Sequence, residues 1–209
     1  MPKAAELVEI QEFRPTHAPA LAAIHMEGQP GTFLTLLGGE FLTALYTQIA
    51  SSPLGFGHVA LLDGEVVGFV VATVDTGQLF KEMARRRWVH LAWPLFKRVA
   101  RHPALFKRVL FALRYPELEQ GEGEGEEGAA ELLSIGVRAD LRSRGIGGRL
   151  VEALVEECRA RAIPALDVTV DTTNEGANRF YPRHGFRYRK TFKLYEREMH
   201  SYRLRLAIQ

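Results

Sequence analysis

Between Glu131 and Ile163 the chain passes from a short apolar run, Leu132 to Val137, through the turn Arg142-Ser143-Arg144-Gly145-Ile146-Gly147-Gly148 into a segment with Leu150, Val151, Leu154, Val155 and Cys158 at helical spacing. A strand that feeds a glycine-rich turn and then an amphipathic helix leaves few arrangements open. The helix must pack its apolar side on the sheet, and its first backbone N–H groups have no partner inside the helix. Those N–H groups, with about half a positive charge from the helix dipole, make a ready anion site. Glycines let the backbone approach the anion closely, and Arg142 and Arg144 add formal charge beside it. Two familiar phosphate binders are excluded by spacing. A dinucleotide fingerprint needs glycine at position 150, which is Leu150, and no Gly-Lys-Ser/Thr occurs for a P-loop. What remains is Arg-x-x-Gly-x-Gly, from Arg142, Gly145 and Gly147, a pattern that a helix entry turn with no ligand could also present.

The flanking sequence predicts the rest of the layer. Leu7 to Phe13 alternates like a strand. Thr16 is placed to cap a helix through about Glu27, and Gly28, Pro30 and Gly31 break it. Phe33 to Ala50 reads as a second helical stretch interrupted at Gly38-Gly39. Val59 to Leu62 and Val66 to Val74 flank Asp63-Gly64, a type I′ hairpin signature. After the helix that Pro164 ends, Ala165 to Asp171 reads as a strand. Asn174 or Thr173 then caps a helix to about His184, closed by Gly185, and Phe186 to Tyr195 and Met199 to Ala207 are two final strands. The order β-α-α-β-β, then β-α-β-α-β-β predicts one mixed α/β (α+β) layer domain over residues 1–209 with a helical insertion at 76–130.

Bulk properties narrow the class. The 209 residues suffice for one domain with a sizeable core, and a net charge of +2 gives no reason to expect nucleic-acid binding. The single cysteine, Cys158, rules out an intramolecular disulfide and sits at a core spacing. No apolar region follows Met1, and no uncharged apolar run reaches the ~18 residues that cross a bilayer. The expectation is a cytoplasmic protein with no stable membrane insertion. No His, Cys and Asp cluster has ligand spacing, so no metal is expected.

Two segments together resemble a known family. Leu132 to Leu150 is similar to the central motif of the GNAT superfamily of acyl-CoA N-acyltransferases. Val170 to Phe186 is similar to that family's Asn-x-x-Ala-x-x-Phe-Tyr-x-x-x-Gly-Phe stretch, here Asn174, Ala177, Phe180, Tyr181, Gly185 and Phe186. The likeness covers 131–207 well, 6–75 loosely by element order, and the insertion not at all. It implies a mixed, mostly antiparallel sheet flanked by helices, with the insertion between the third and fourth strands. It also implies acetyl-CoA as co-substrate, an amine acceptor and, through the exposed final strands, a homodimer.

The resemblance assigns roles to individual residues. It lays the CoA pyrophosphate on the backbone of Arg142, Ser143, Arg144, Gly145, Gly147 and Gly148, with Ser143 standing where glycine is common. It gives the strand Ser134 to Val137 a bulge whose free backbone groups, at Ile135 and Val137, meet the pantetheine amides; the same residues would also serve as plain core. Asn174 matches a pantetheine contact and is equally a helix cap. Tyr181 matches the general acid that protonates the leaving thiolate, though an aromatic there would also pack. Glu131, eleven residues before Arg142, resembles the catalytic glutamate of histone-type members, and would otherwise be a solvated residue ending a Glu/Gly run. His25 and Glu27 are further base candidates, because acceptors in this family bind near the connection between the first two helices and His25 has a reference pKa suited to base work. His17, His58, His90, His102 and His200 have no such positional argument.

The insertion carries ten Lys/Arg and one acidic residue, Glu82, between Gln78 and Arg114. Trp88, Leu91, Leu95 and Val99 follow helical spacing within it. Glu117 to Gly128 is a Gly/Glu run with too little apolar side chain to pack, expected to be a mobile loop. Three readings stand open: a helical hairpin with a solvated basic face, a lid selecting an anionic acceptor, and an amphipathic surface for membranes or acidic partners. The overall expectation is acetyl transfer to a small-molecule amine in a ternary complex. A protein Lys or N-terminal acetyltransferase, or a CoA-binding module without transfer, are the alternatives.

Overall fold

The computed structural model describes residues 8–86, 88–103, 128–194 and 197–207. Its elements run β1 (Glu9–Glu12), α1 (Ala18–Gly28), α2 (Phe33–Leu37), α3 (Gly39–Ser51), β2 (Gly55–Leu62), β3 (Glu65–Thr73), α4 (Thr76–Arg86), α5 (Trp88–Arg101), β4 (Ala130–Val137), α6 (Ile146–Ala160), β5 (Ala165–Asp171), α7 (Glu175–Arg183), β6 (Arg187–Leu194) and β7 (Arg197–Arg205). The seven strands form one sheet in the order β1-β2-β3-β4-β5-β7-β6. Only β4 and β5 pair in parallel; every other neighbouring pair is antiparallel.

Local chemistry accounts for the breaks. Asp63 and Gly64 both have positive φ, as a type I′ turn requires, so β2 and β3 form the predicted hairpin. The interrupted helix of the sequence resolves into α2 and α3, separated at Gly38, whose φ of 90° is outside the helical range.

The sheet is covered on both faces. On one, α6 contributes Leu150, Val151, Leu154 and the fully buried Cys158, against Val70, Ala72, Leu132, Leu166 and Val168. On the other, α1 and α3 contribute Leu21, Ala22, Leu42, Tyr46 and Ile49, against Val59, Phe69 and Val71. Phe69, Val70, Val71 and Ala72 thus alternate between two buried faces, which is why β3 reads as an unbroken apolar run. Burial also pushes the Cys158 thiol up to about 12, so it stays a neutral core group. Helix α5 lies against the α2–α3 side. Lys97 pairs with Glu40 at 2.9 Å, and Arg98 Nε donates to the Leu36 carbonyl at 2.9 Å. The outer side of α5 leaves Trp93 and Phe96 exposed and stacked on each other. Most of the Gly/Glu run, and residues 104–127 in general, lie outside the described residues.

Candidate active site

The site begins where β4 and β5 part. They pair in three positions, Ala130 with Leu166, Glu131 with Asp167 and Leu132 with Val168, and then diverge, while β5 stays paired with β7 as far as Asp171 and Met199. A bulge marks the divergence. Val71 faces Ser134 and Ala72 faces Leu132, so Leu133 is the extra residue. The sequence reading expected this bulge within Ser134 to Val137; it sits one residue earlier. A bulge bends its strand and increases the twist, and that turns β4 away from β5.

The phase of the open edge follows from one hydrogen bond. Arg138 N–H bonds to the Val67 carbonyl of β3 at 2.9 Å. Backbone groups alternate between the two edges of a strand, so Ile135 and Val137 direct theirs away from β3, into the opening. Their side chains pack instead on the α6-side core. The two residues singled out for backbone contacts are therefore those whose amides line the cleft. One acceptor is already engaged: Arg142 Nε donates to the Val137 carbonyl at 3.0 Å. That turns Arg142 back over the end of β4, close to Gly28 of α1, and not toward the helix entry.

The turn itself is shaped by left-handed backbone. Ala139 to Leu141 form a 3₁₀ turn, and Glu27 Oε2 accepts the Ala139 N–H at 3.2 Å. Glu27, a base candidate by position, thus braces this turn. Ser143 has φ 59° and Gly145 φ 88°. The position where a glycine was expected does demand a left-handed residue, and Ser143 adopts it at a cost. Gly145 caps α6 without any side-chain hydrogen bond, and no acidic residue lies in the first turn. The first N–H groups of α6 have no partner within the helix and lie beside the exposed Arg144, an arrangement suited to an anion. Gly147 and Gly148 have a second reason to be glycine. A Cβ on Gly147 would stand 3.4 Å from the Phe180 ring, and one on Gly148 2.9 Å from His184 Nε2. Phe180 of α7 and His184 just after it pack against each other here, with ring centroids 4.1 Å apart and planes tilted by 36°.

Tyr181 is 3% exposed, edge-on to Phe180 and Phe186 and stacked on Tyr202. Burial raises its pKa well above the usual tyrosine value, so the phenol holds its proton firmly. No hydrogen bond to its hydroxyl is made among the described residues. Asn174 caps α7, accepting the Ala177 N–H at 3.1 Å. Asn178, not singled out beforehand, ties three elements together: its amide donates to the Asp171 and Thr172 carbonyls and its oxygen accepts from Tyr202.

Glu131 lies in the paired part of β4, just before the opening, and accepts a hydrogen bond from Thr76 Oγ1 at the start of α4. His25 is 2% exposed. Its Nδ1 lies 2.6 Å from Tyr46 Oη and 3.5 Å from Ser134 Oγ, and its Nε2 is enclosed without a hydrogen-bond partner among the described residues. Burial lowers its pKa to about 4, so the reference value that recommended it as a base does not apply. Ser134 also accepts from Gln29 Nε2 at 3.4 Å. Sequence reasoning passed over Gln29, Tyr46 and Ser134. The only signal was a hydroxyl inside an otherwise apolar strand.

A sheet split at one parallel pair, with a glycine-rich helix entry at its mouth, is the geometry against which comparison is informative. The model of the acetyltransferase (GNAT) family matches residues 19–186. This chain belongs to the GNAT acetyltransferase family. No curated protein sequence matches it significantly. Solved structures of this GNAT fold do. The ribosomal-protein-S18-alanine N-acetyltransferase of Escherichia coli is 14% identical, covering 97% of this chain and 96% of its own, with a TM-score of 0.61. An N-acetyltransferase of Staphylococcus aureus is 16% identical over 96% and 99%, with a TM-score of 0.61. NAA60 of Arabidopsis thaliana, solved with a bisubstrate analogue, is 16% identical over 97% and 99%, with a TM-score of 0.59. At such identities the likeness carries the GNAT fold and leaves the acceptor open. In this GNAT chain no helix among the described residues is long and apolar enough to cross a membrane. No group of three or more His, Cys, Asp or Glu among them could hold a metal ion.

Proposed function

We propose that this acetyltransferase uses acetyl-CoA to acetylate a primary amine of a small molecule by direct attack in a ternary complex. The observation that carries the reading is the split between β4 and β5, with the Ile135 and Val137 amides on its open edge and the uncapped α6 entry at its mouth. An extended chain bearing amides fits the open edge, and a pyrophosphate fits the N–H groups at 145–148. Ser143, Arg144, Gly145, Gly147 and Gly148 hold the phosphates. Arg142 steadies the end of β4, and Asn174 sets the start of α7 beside the pantetheine arm.

The chemistry needs three proton movements. The acceptor enters as an ammonium and must lose a proton before its nitrogen lone pair can attack the thioester carbonyl carbon. Glu131 takes that proton, directly or through water, and releases it to solvent. As the C–N bond forms and the C–S bond breaks, Tyr181 donates its proton to the departing sulfur. The acylated nitrogen gives up its second proton, which restores the phenol through water. Holding amine and thioester together supplies much of the rate.

A protein Lys or N-terminal acceptor is the second reading, favoured by Glu131, whose place before the turn resembles that of histone-type members. A homodimer and a cytoplasmic location belong with this proposal too. The test is a panel of small amines and N-terminal peptides with acetyl-CoA, read by thiol release. Turnover on small amines alone supports the first reading, and turnover on peptides alone the second. Tight CoA binding with no transfer to any amine removes both.

A further inference from the structure

Four side chains form a polar thread through an apolar region. Gln29 Nε2 donates to Ser134 Oγ at 3.4 Å, Ser134 lies 3.5 Å from His25 Nδ1, and His25 Nδ1 meets Tyr46 Oη at 2.6 Å. His25, Tyr46 and Ser134 are 2%, 2% and 9% exposed. The cluster is built between α1, α3 and β4 and closes on the residue that follows the Leu133 bulge. A buried thread of this kind is costly unless its members satisfy one another, and among the described residues His25 Nε2 has no hydrogen-bond partner at its far end.

Gln29 is the member at the surface end. It is half-buried, it ends α1, and its N–H bonds back to the His25 carbonyl at 2.9 Å. Its own carbonyl accepts from Thr32 Oγ1 at 3.2 Å and Thr35 Oγ1 at 2.7 Å. One residue thus organises the whole connection between α1 and α2 and reaches across 105 positions to the cofactor strand. The family resemblance places the acceptor near that connection.

We infer that Gln29 and Ser134 are positioning residues, a tether that holds the acceptor-side connection at residues 29–35 to the bulge of β4, with Tyr46 and His25 as its buried anchor. The tether sets where the amine stands relative to the thioester, so it governs use of the acceptor and not binding of acetyl-CoA. This rests on the acetyl-transfer reading for its kinetic part only. The test pairs amide hydrogen exchange with kinetics on Ser134→Ala, Ser134→Thr and Gln29→Ala. Losing one such hydrogen bond is worth a factor of about three to ten. Expected are exchange faster by that factor in peptides covering 28–36, unchanged exchange in β2 and β3, and an acceptor KM raised by a similar factor with the acetyl-CoA KM unchanged. Ser134→Thr, which keeps the hydroxyl, restores both. Unchanged exchange at 28–36 in Gln29→Ala, or acceleration spread evenly over the molecule, overturns the tether. So does a loss confined to acetyl-CoA binding. If Ser134→Ala does not fold, Gln29→Ala decides alone. If the wild-type protein acetylates no amine, the exchange result still decides the tether while the acetyl-transfer reading fails separately.

Discussion

His25 should make the protein sensitive to mild acid, and the size of the effect can be worked out. Its pKa falls from 6.5 to about 4 on folding because the ring is enclosed by α1, α3 and β4. Below pH 6.5 the unfolded chain binds a proton at this residue that the folded chain refuses, so stability falls as pH falls. The loss begins near pH 6.5 and is complete below about pH 4. At one pKa unit per 1.36 kcal/mol, it amounts to about 1 kcal/mol at pH 5.5, about 2 at pH 5 and ~3 at pH 4. The comparison variant is His25→Gln, which can still meet Tyr46 and does not titrate. Urea melts of both proteins between pH 7.5 and 4.5 would be compared as a difference. Contributions common to both, including the lowered pKa values of His17 and His58, cancel in that difference. The wild type should lose about 2 kcal/mol more than His25→Gln between pH 7 and pH 5. Parallel pH profiles would refute the enclosed neutral imidazole. An acid limb of kcat/KM near pH 6.5 that disappears in His25→Gln would refute it independently, by restoring His25 as a base.

Three further outcomes are expected. Tyr181→Phe should lower kcat at least about tenfold with acetyl-CoA affinity intact, because it removes one proton donor and no packing surface; unchanged turnover ends the general-acid role. Glu131→Gln should lower kcat by about a hundredfold and remove an acidic limb from the pH–rate profile, while Thr76→Val, which removes only the hydroxyl on that carboxylate, should shift the limb upward without abolishing activity. Ser143→Gly relieves a φ of 59°, and thermal unfolding should show a gain of up to about 1 kcal/mol with CoA binding retained; a loss of more than about 1 kcal/mol would mean that the serine side chain holds the turn.

The linear chain already carried the strands, the helices and their order. Periodicity, Asp63-Gly64, Asn174 and Gly185 are local signals, and local signals survive in a linear string. The glycine-rich helix entry was legible for the same reason, since a left-handed turn and a first turn without a side-chain cap are properties of consecutive residues. Its glycines at 147 and 148 were legible as glycines but not for their packing reason, because Phe180 and His184 are more than thirty residues away in the chain. Folding alone settled which partners met. It placed the bulge at Leu133, turned Arg142 onto the Val137 carbonyl, set Glu27 under the 3₁₀ turn and enclosed His25 against Tyr46 and Ser134. Apart from the Arg142–Val137 contact, five residues apart, each of these depends on contacts between residues distant in sequence. A pKa near 4 for His25 likewise comes from burial of α1 against two other elements, α3 and β4, which its neighbours in the chain do not encode.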